Sequence, residues 1–212
     1  MENRGKFISF EGIDGAGKSA HIAFAKKLLE KSGIEVIQTR EPGGTILGEN
    51  LRKMILENNA QFSPKTHALL MYASRLELLE KTILPALERG VWVLSDRFLD
   101  ATFAYQGGGE KLGLDKISIL NQWVLGNFAP DLTLLFEVEI ATAKHRIETA
   151  REKKDHFEKE NAAFFTRVQN AYLKLQKNNP QRIKKINSNA DLKNVEKNVE
   201  LHILNLIQGE IK

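Results

Sequence analysis

Residues Gly12 to Ser19 read Gly-Ile-Asp-Gly-Ala-Gly-Lys-Ser, a spacing that fits G-x-x-x-x-G-K-[ST] at every fixed position. The chemistry this predicts is phosphate binding. Gly12, Gly15 and Gly17 let the backbone curl so that successive N–H groups converge on one anion, with Ile13, Asp14 and Ala16 completing the loop. A helix opening behind the loop adds a partial positive charge of roughly half an electron. Lys18 is then placed for the β- and γ-phosphates of a nucleoside triphosphate, and the Ser19 hydroxyl for Mg²⁺.

Two other segments add charge. Asp96-Arg97 closes the apolar run Val91 to Ser95. A carboxylate at the end of a strand in a phosphate-loop protein is placed to hold Mg²⁺ or its waters, so Ser19 and Asp96 form the candidate metal pair. Arg97 offers a rigid fork of donors suited to phosphate oxygens. The plainer alternative is a surface ion pair. Arg40-Glu41-Pro42-Gly43-Gly44-Thr45 has a second arginine beside glycines that permit close backbone approach, or is simply a turn. Arg52 and Arg75 lie on helical stretches, where an arginine is usually solvated. Together these residues imply an acceptor that is itself anionic. A phosphate monoester with a second pKa near 6 is mostly a dianion at pH 7 and needs no general base. Catalysis is then alignment and charge neutralisation.

These groups need a scaffold that brings them together. Candidate strands are Lys6–Phe10, Glu35–Gln38, Val91–Ser95, Leu132–Val138 and Arg182–Ile186, separated by stretches long enough for helices. That alternation predicts an α/β fold, a five-stranded parallel sheet with helices on both faces. Ligands of such sheets bind at the carboxyl ends of the strands, where Gly12–Ser19, Arg40–Thr45 and Asp96-Arg97 all fall. Helical pattern follows the loop over Ala20 to Lys31. Ser63-Pro64 is a helix start and Gly90 a stop. Thr149 to Lys159 is charged throughout and reads as an exposed lid between two helices, able to close over phosphates and exclude water.

The 212 residues suit one domain, 1–212, with the lid at about 146–159. The net charge of +4 is not gathered into one basic run, so no nucleic-acid surface is expected, although polyanionic substrates are. The absence of cysteine excludes disulfides, thiolate metal sites and a cysteine nucleophile. No apolar run approaches the roughly 20 residues of a membrane span, and no signal-peptide pattern opens the chain. A cytoplasmic protein is expected.

From Phe7 to about Leu175 the chain resembles the bacterial thymidylate kinases. The matching segments are Phe10–Ser19, Arg40–Thr45, Leu69–Arg75, Asp96–Phe98, Thr102–Gly107 and Asp155–Glu158. The resemblance implies the phosphate-loop kinase fold, Mg²⁺, ATP as donor, dTMP as acceptor, ADP and dTDP as products on the route to dTTP, and a homodimer. It also implies residue roles. Asp14 would accept from the sugar 3′-OH, and Arg40, Arg52 and Arg97 would hold the acceptor phosphate. Arg75 would reach a thymine carbonyl, Thr102 the base edge, and Met71 the base face. Tyr105 would pack under the sugar, with Gln106 and Pro42 in the same pocket. Gly15 stands where some members carry a catalytic arginine, which moves that role to Arg151 in the lid, with Arg146 nearer the adenine.

The chain departs from the family pattern at three positions. Met71 replaces a stacking phenylalanine, His156 replaces a lid arginine, and Ala101 replaces a serine before Thr102. Competing readings are another nucleotide or nucleoside kinase, a nucleotide-dependent switch, or a binding module. A nucleoside kinase would want a base beside a neutral hydroxyl. A guanine-reading Asn-Lys-x-Asp and a Leu-Ser-Gly-Gly-Gln signature are both absent.

Overall fold

The computed structural model describes residues 4–56, 62–150 and 161–209. Five strands, β1 (Phe7–Glu11), β2 (Val36–Arg40), β3 (Trp92–Asp96), β4 (Leu132–Glu137) and β5 (Ile183–Asn187), pair in the order β2-β3-β1-β4-β5. Every pairing is parallel, as the alternating pattern requires. Between and after them run α1 (Lys18–Lys31), α2 (Ile46–Leu56), α3 (Pro64–Leu78), α4 (Leu84–Glu88), α5 (Leu99–Thr102), α6 (Leu114–Leu125), α7 (Ile140–Ala150), α8 (Ala162–Asn178) and α9 (Leu192–Ile207).

Successive strand residues face opposite sides, and two cores result. Ile8, Phe10 and Leu94 pack with Ile22 and Leu29 of α1 and with Val199 and Ile203 of α9. Phe7 and Val93 pack with Tyr72 and Leu78 of α3, Leu87 of α4 and Ile117 of α6. Burial on both faces is why β1, β3 and β4 read as mainly apolar runs, broken only by the small buried Ser9, Ser95 and Thr133 before their polar ends.

Each expected strand is present. Three of the five end one residue later than the apolar runs do and β2 ends two residues later, because Glu11, Arg40, Asp96 and Asn187 are polar strand residues. Leu132–Val138 instead ends one residue early, at Glu137. The first helix begins at Lys18, inside the phosphate-loop motif. Ser63 caps α3 by accepting from the Thr66 N–H at 3.2 Å, and Gly90 (φ 82°) follows the last turn of α4. Between α3 and α4 the backbone widens into a π-helical turn, Leu79–Ile83.

A second π-helical stretch, Phe103–Gly109, continues α5 and packs on α8. Its glycines form a notch. A Cβ at Gly108 would stand 2.6 Å from the Ala171 Cβ, and one at Gly109 would stand 2.6 Å from the Phe164 ring. The Arg167 guanidinium closes the contact by donating twice to the Gly109 carbonyl, at 3.0 and 2.8 Å. The π-helical stretch is thereby held against α8.

Candidate active site

β1 lies at the point where the chain order reverses, with β3 on one side and β4 on the other. A cleft at the carboxyl ends of the strands is expected there, and a cavity of ≈ 350 Å³ occupies it. Its lining includes Asp14, Gly15, Gly17, Lys18 and Ser19 from the loop after β1, and Arg40 and Pro42 after β2. It also includes Arg52 from α2, Met71 from α3, Asp96 and Arg97 from the end of β3, Ala101, Tyr105 and Gln106, and Arg146 from α7. The three expected groups do converge.

The loop geometry follows from its glycines. Gly15 has φ 76°, and a Cβ there would lie 2.3 Å from the Ala143 carbonyl oxygen. α7 packs too closely for a side chain at position 15, so the loop cannot carry an arginine there without moving that helix. Gly17, at φ 86°, turns the chain into α1. Lys18 is buried, and its ammonium donates to the carbonyls of Gly12 and Ile13 at 3.1 and 2.9 Å. Burial and the nearby Arg97 charge hold its pKa below the usual lysine value. The Ser188 hydroxyl, beyond β5, donates to the Ala16 carbonyl at 2.6 Å and buttresses the loop from behind.

Arg97 is the hub. Its backbone is left-handed, φ 72°, which is uncommon for a side-chain-bearing residue. The conformation is pinned by the Arg97 N–H donating to the Phe10 carbonyl and by Ser95 Oγ donating to the Arg97 carbonyl at 2.6 Å. The guanidinium donates to Asp14 Oδ1 at 2.8 Å, the Gly12 carbonyl at 2.7 Å, Tyr105 Oη at 3.1 Å and Tyr172 Oη at 3.3 Å. Burial pushes the Asp14 carboxyl upward, but Arg97 and Lys18 outweigh it and hold the pKa at about 2. Tyr105 donates to Asp14 Oδ2 at 3.2 Å, so this aspartate is held from two sides.

Glu11 lies beneath this hub. It accepts from the Phe98 N–H at 2.7 Å and from Tyr172 Oη at 2.8 Å. Full burial and the Asp100 charge push its pKa to about 8, against the pull of Arg97. A second buried centre sits nearby. Arg75 and Glu41 are both essentially inaccessible and pair at 2.6 and 2.8 Å, while Arg75 also donates to the Phe98 carbonyl and Thr102 Oγ1. Neither Arg75 nor Thr102 is on the cavity wall, although Arg75 Nη1 is buried with no protein partner.

The opposite rim differs. Arg40 is half exposed and pairs with Glu49 at 3.0 Å, while Arg52 donates to the Pro42 carbonyl at 2.9 Å. Arg146 donates to the Gly15 and Ser188 carbonyls, against the phosphate loop. Asp96 Oδ1 is buried without a protein partner and Ser19 lines the same cavity, so this pair suits a hard divalent cation completed by substrate oxygens and water. No cluster of three metal-binding side chains occurs among the described residues. Ile13 is buried behind the loop, and Gly12 and Ala16 act through their backbone. Arg151 and His156 lie outside the described residues.

Glu11, Glu41, Tyr172 and Ser188 carried no assigned role in the sequence. For Glu11 a signal existed, since a carboxylate that ends an otherwise buried strand must have partners. Tyr172 and Ser188 are brought in by the fold alone.

A thymidylate kinase family profile matches residues 10–199. A thymidylate kinase of Nitrosospira multiformis is 51% identical over 200 residues, 94% of this chain and 97% of the relative. That of Nitrosomonas europaea is 50% identical over 91% of this chain and 89% of its own length, and that of Vesicomyosocius okutanii 47% over 93% and 97%. With a profile over most of its length and relatives at half identity or near it, the chain belongs to the thymidylate kinase family.

Proposed function

We propose that the protein transfers the γ-phosphate of ATP to dTMP, giving dTDP and ADP. The observation that carries this is a single cavity lined both by a triphosphate loop and by Arg40, Arg52 and Arg97, together with Met71, Tyr105 and Gln106. Family membership selects dTMP among the monophosphates. Lys18 and the loop N–H groups bind the donor phosphates, and Arg146 sits on the adenine side. Arg97, Arg40 and Arg52 hold the acceptor phosphate, with Pro42 backing them. Asp14 accepts from the sugar 3′-OH and Tyr105 underlies the ring. Met71 covers the base, Arg75 offers Nη1 to a carbonyl, and Thr102 positions Arg75. Ser19 and Asp96 would hold Mg²⁺, which when bound neutralises phosphate charge.

The acceptor arrives as a dianion, so these residues need only align it and stabilise charge on the transferring group. Arg97 is prearranged for this by Asp14, Gly12 and the two tyrosines. Arg151 would bring the lid cation. The whole works as one domain of residues 1–212 with a lid at about 146–159.

A homodimer belongs to the same reading. Leu69 of α3 and Ile119 and Trp123 of α6 are 55%, 73% and 81% exposed, an apolar set on neighbouring helices that a second copy would cover. No helix among the described residues is long and apolar enough to cross a membrane, and we assign the enzyme to the cytoplasm. A coupled assay of ADP release across all nucleoside monophosphates tests the activity. Preferential turnover of dTMP is expected, and equal or better turnover of another monophosphate would overturn the assignment.

A further inference from the structure

Gln106 lines the cavity yet is itself 1% exposed, so its carboxamide is fixed by protein atoms. Its Nε2 donates to Glu110 Oε1 at 3.2 Å. Its Oε1 is buried and has no protein partner. The same Glu110 oxygen lies 2.8 Å from Nδ1 of His67, a buried residue of α3. One carboxylate oxygen thus receives two donors, one from α3 and one from the π-helical stretch.

The direction of the Gln106 amide follows from this. A carboxylate oxygen accepts and does not donate, so it draws the NH₂ end of the carboxamide toward itself. The carbonyl end is left for whatever occupies the cavity. A pyrimidine with an N3–H, such as thymine, satisfies that carbonyl. A cytosine ring presents a lone pair at N3 and leaves two acceptors facing each other. A buried polar group left unpaired is what makes a site reject the wrong ligand.

We propose that Glu110, held by His67, is a positioning residue that sets the direction of the Gln106 carboxamide and thereby selects bases with an N3–H over those with an N3 acceptor. This rests on the dTMP reading of the cavity. Neither Glu110 nor His67 touches the substrate; both act through Gln106.

The test compares dTMP with 5-methyl-dCMP, which has the same outline but lacks the N3–H. Wild type, Glu110→Leu and Glu110→Gln are assayed for kcat and KM on both. Leucine removes the acceptor and frees the Gln106 amide to turn, whereas glutamine keeps an acceptor oxygen. Expected in Glu110→Leu is a roughly tenfold fall in the preference for dTMP, as kcat/KM ratio, with kcat at saturating dTMP within about twofold of wild type. Glu110→Gln should restore most of the preference. Because the ratio is taken within one enzyme preparation, partial unfolding cancels from it. An unchanged preference in Glu110→Leu overturns the inference, as does an equal loss on both substrates. Wild type that shows no preference for dTMP would instead overturn the dTMP reading.

Discussion

The two walls of the cavity hold their arginines in different ways. On the inner wall Arg97 makes four hydrogen bonds to protein groups, and Glu41, also in the lining, seals Arg75, which is off the wall itself. On the outer wall Arg40 is more than half exposed and meets a half-exposed glutamate. A charge fixed before the substrate arrives needs no reorganisation when charge develops during transfer. A solvated arginine on a surface pair is weakly held and free to adjust. The inner wall is therefore suited to turnover and the outer wall to capture.

The largest test removes a partner from the inner wall. Glu41→Ala leaves the Arg75 charge buried and uncompensated, and should cost about 3–5 kcal/mol of stability, read by denaturant unfolding. A loss near that of a surface pair, under about 1 kcal/mol, would break the description of the wall as sealed. Next, Arg97→Ala should lower kcat about 10²–10³-fold, as removing one preorganised donor does, with a smaller change in KM. Lys18→Ala should do the same from the donor side.

Glu11 sharpens the comparison through pH. Its folded pKa of about 8 lies above the ordinary carboxylate value, so the folded state retains a proton that the unfolded state has lost. This contribution to stability is fully present below about pH 4.5 and fades as pH rises toward 8. Glu11→Gln abolishes the titration. Its stability relative to wild type should rise by roughly 2–3 kcal/mol between pH 5 and pH 7. A difference that stays constant over that window would mean Glu11 is ionised within the fold.

On the outer wall, Arg40→Ala should raise the KM for dTMP about tenfold and leave kcat within about twofold, in keeping with one charged hydrogen bond. If it cut kcat as deeply as Arg97→Ala, the division of labour between the walls would fail. The smallest effect is at Met71, which lines the cavity at 5% exposure. Met71→Phe should tighten dTMP binding by up to ~1 kcal/mol in calorimetric titration, since a flat ring stacks better than a thioether. Unchanged binding with a lower melting point would make Met71 a core residue instead.

The fold was legible because β1, β3 and β4 are buried on both faces and read as mainly apolar runs. The strand ends were not, because Glu11, Arg40 and Asp96 belong to the site and carry polar side chains into strand positions. Gly12 to Ser19 announced itself because its function is local, in one loop. Arg75 was weak by itself, because a helical arginine is ordinarily solvated; the family resemblance supplied its expected role, and only the folded chain brings Glu41 over it. Glu110 and His67 were equally silent, being 43 residues apart in sequence.

The notch at Gly108 and Gly109 ties two distant stretches of the gene together. Gly108 can gain a methyl group only where the methyl of Ala171 gives way, and Gly109 can gain one only where the Phe164 ring does. Changes at these sites should therefore be inherited in pairs. Gly108→Ala alone should impair folding, and Ala171→Gly should recover part of what is lost. Among descendants of this sequence, the history of one helix would be written in the history of the other.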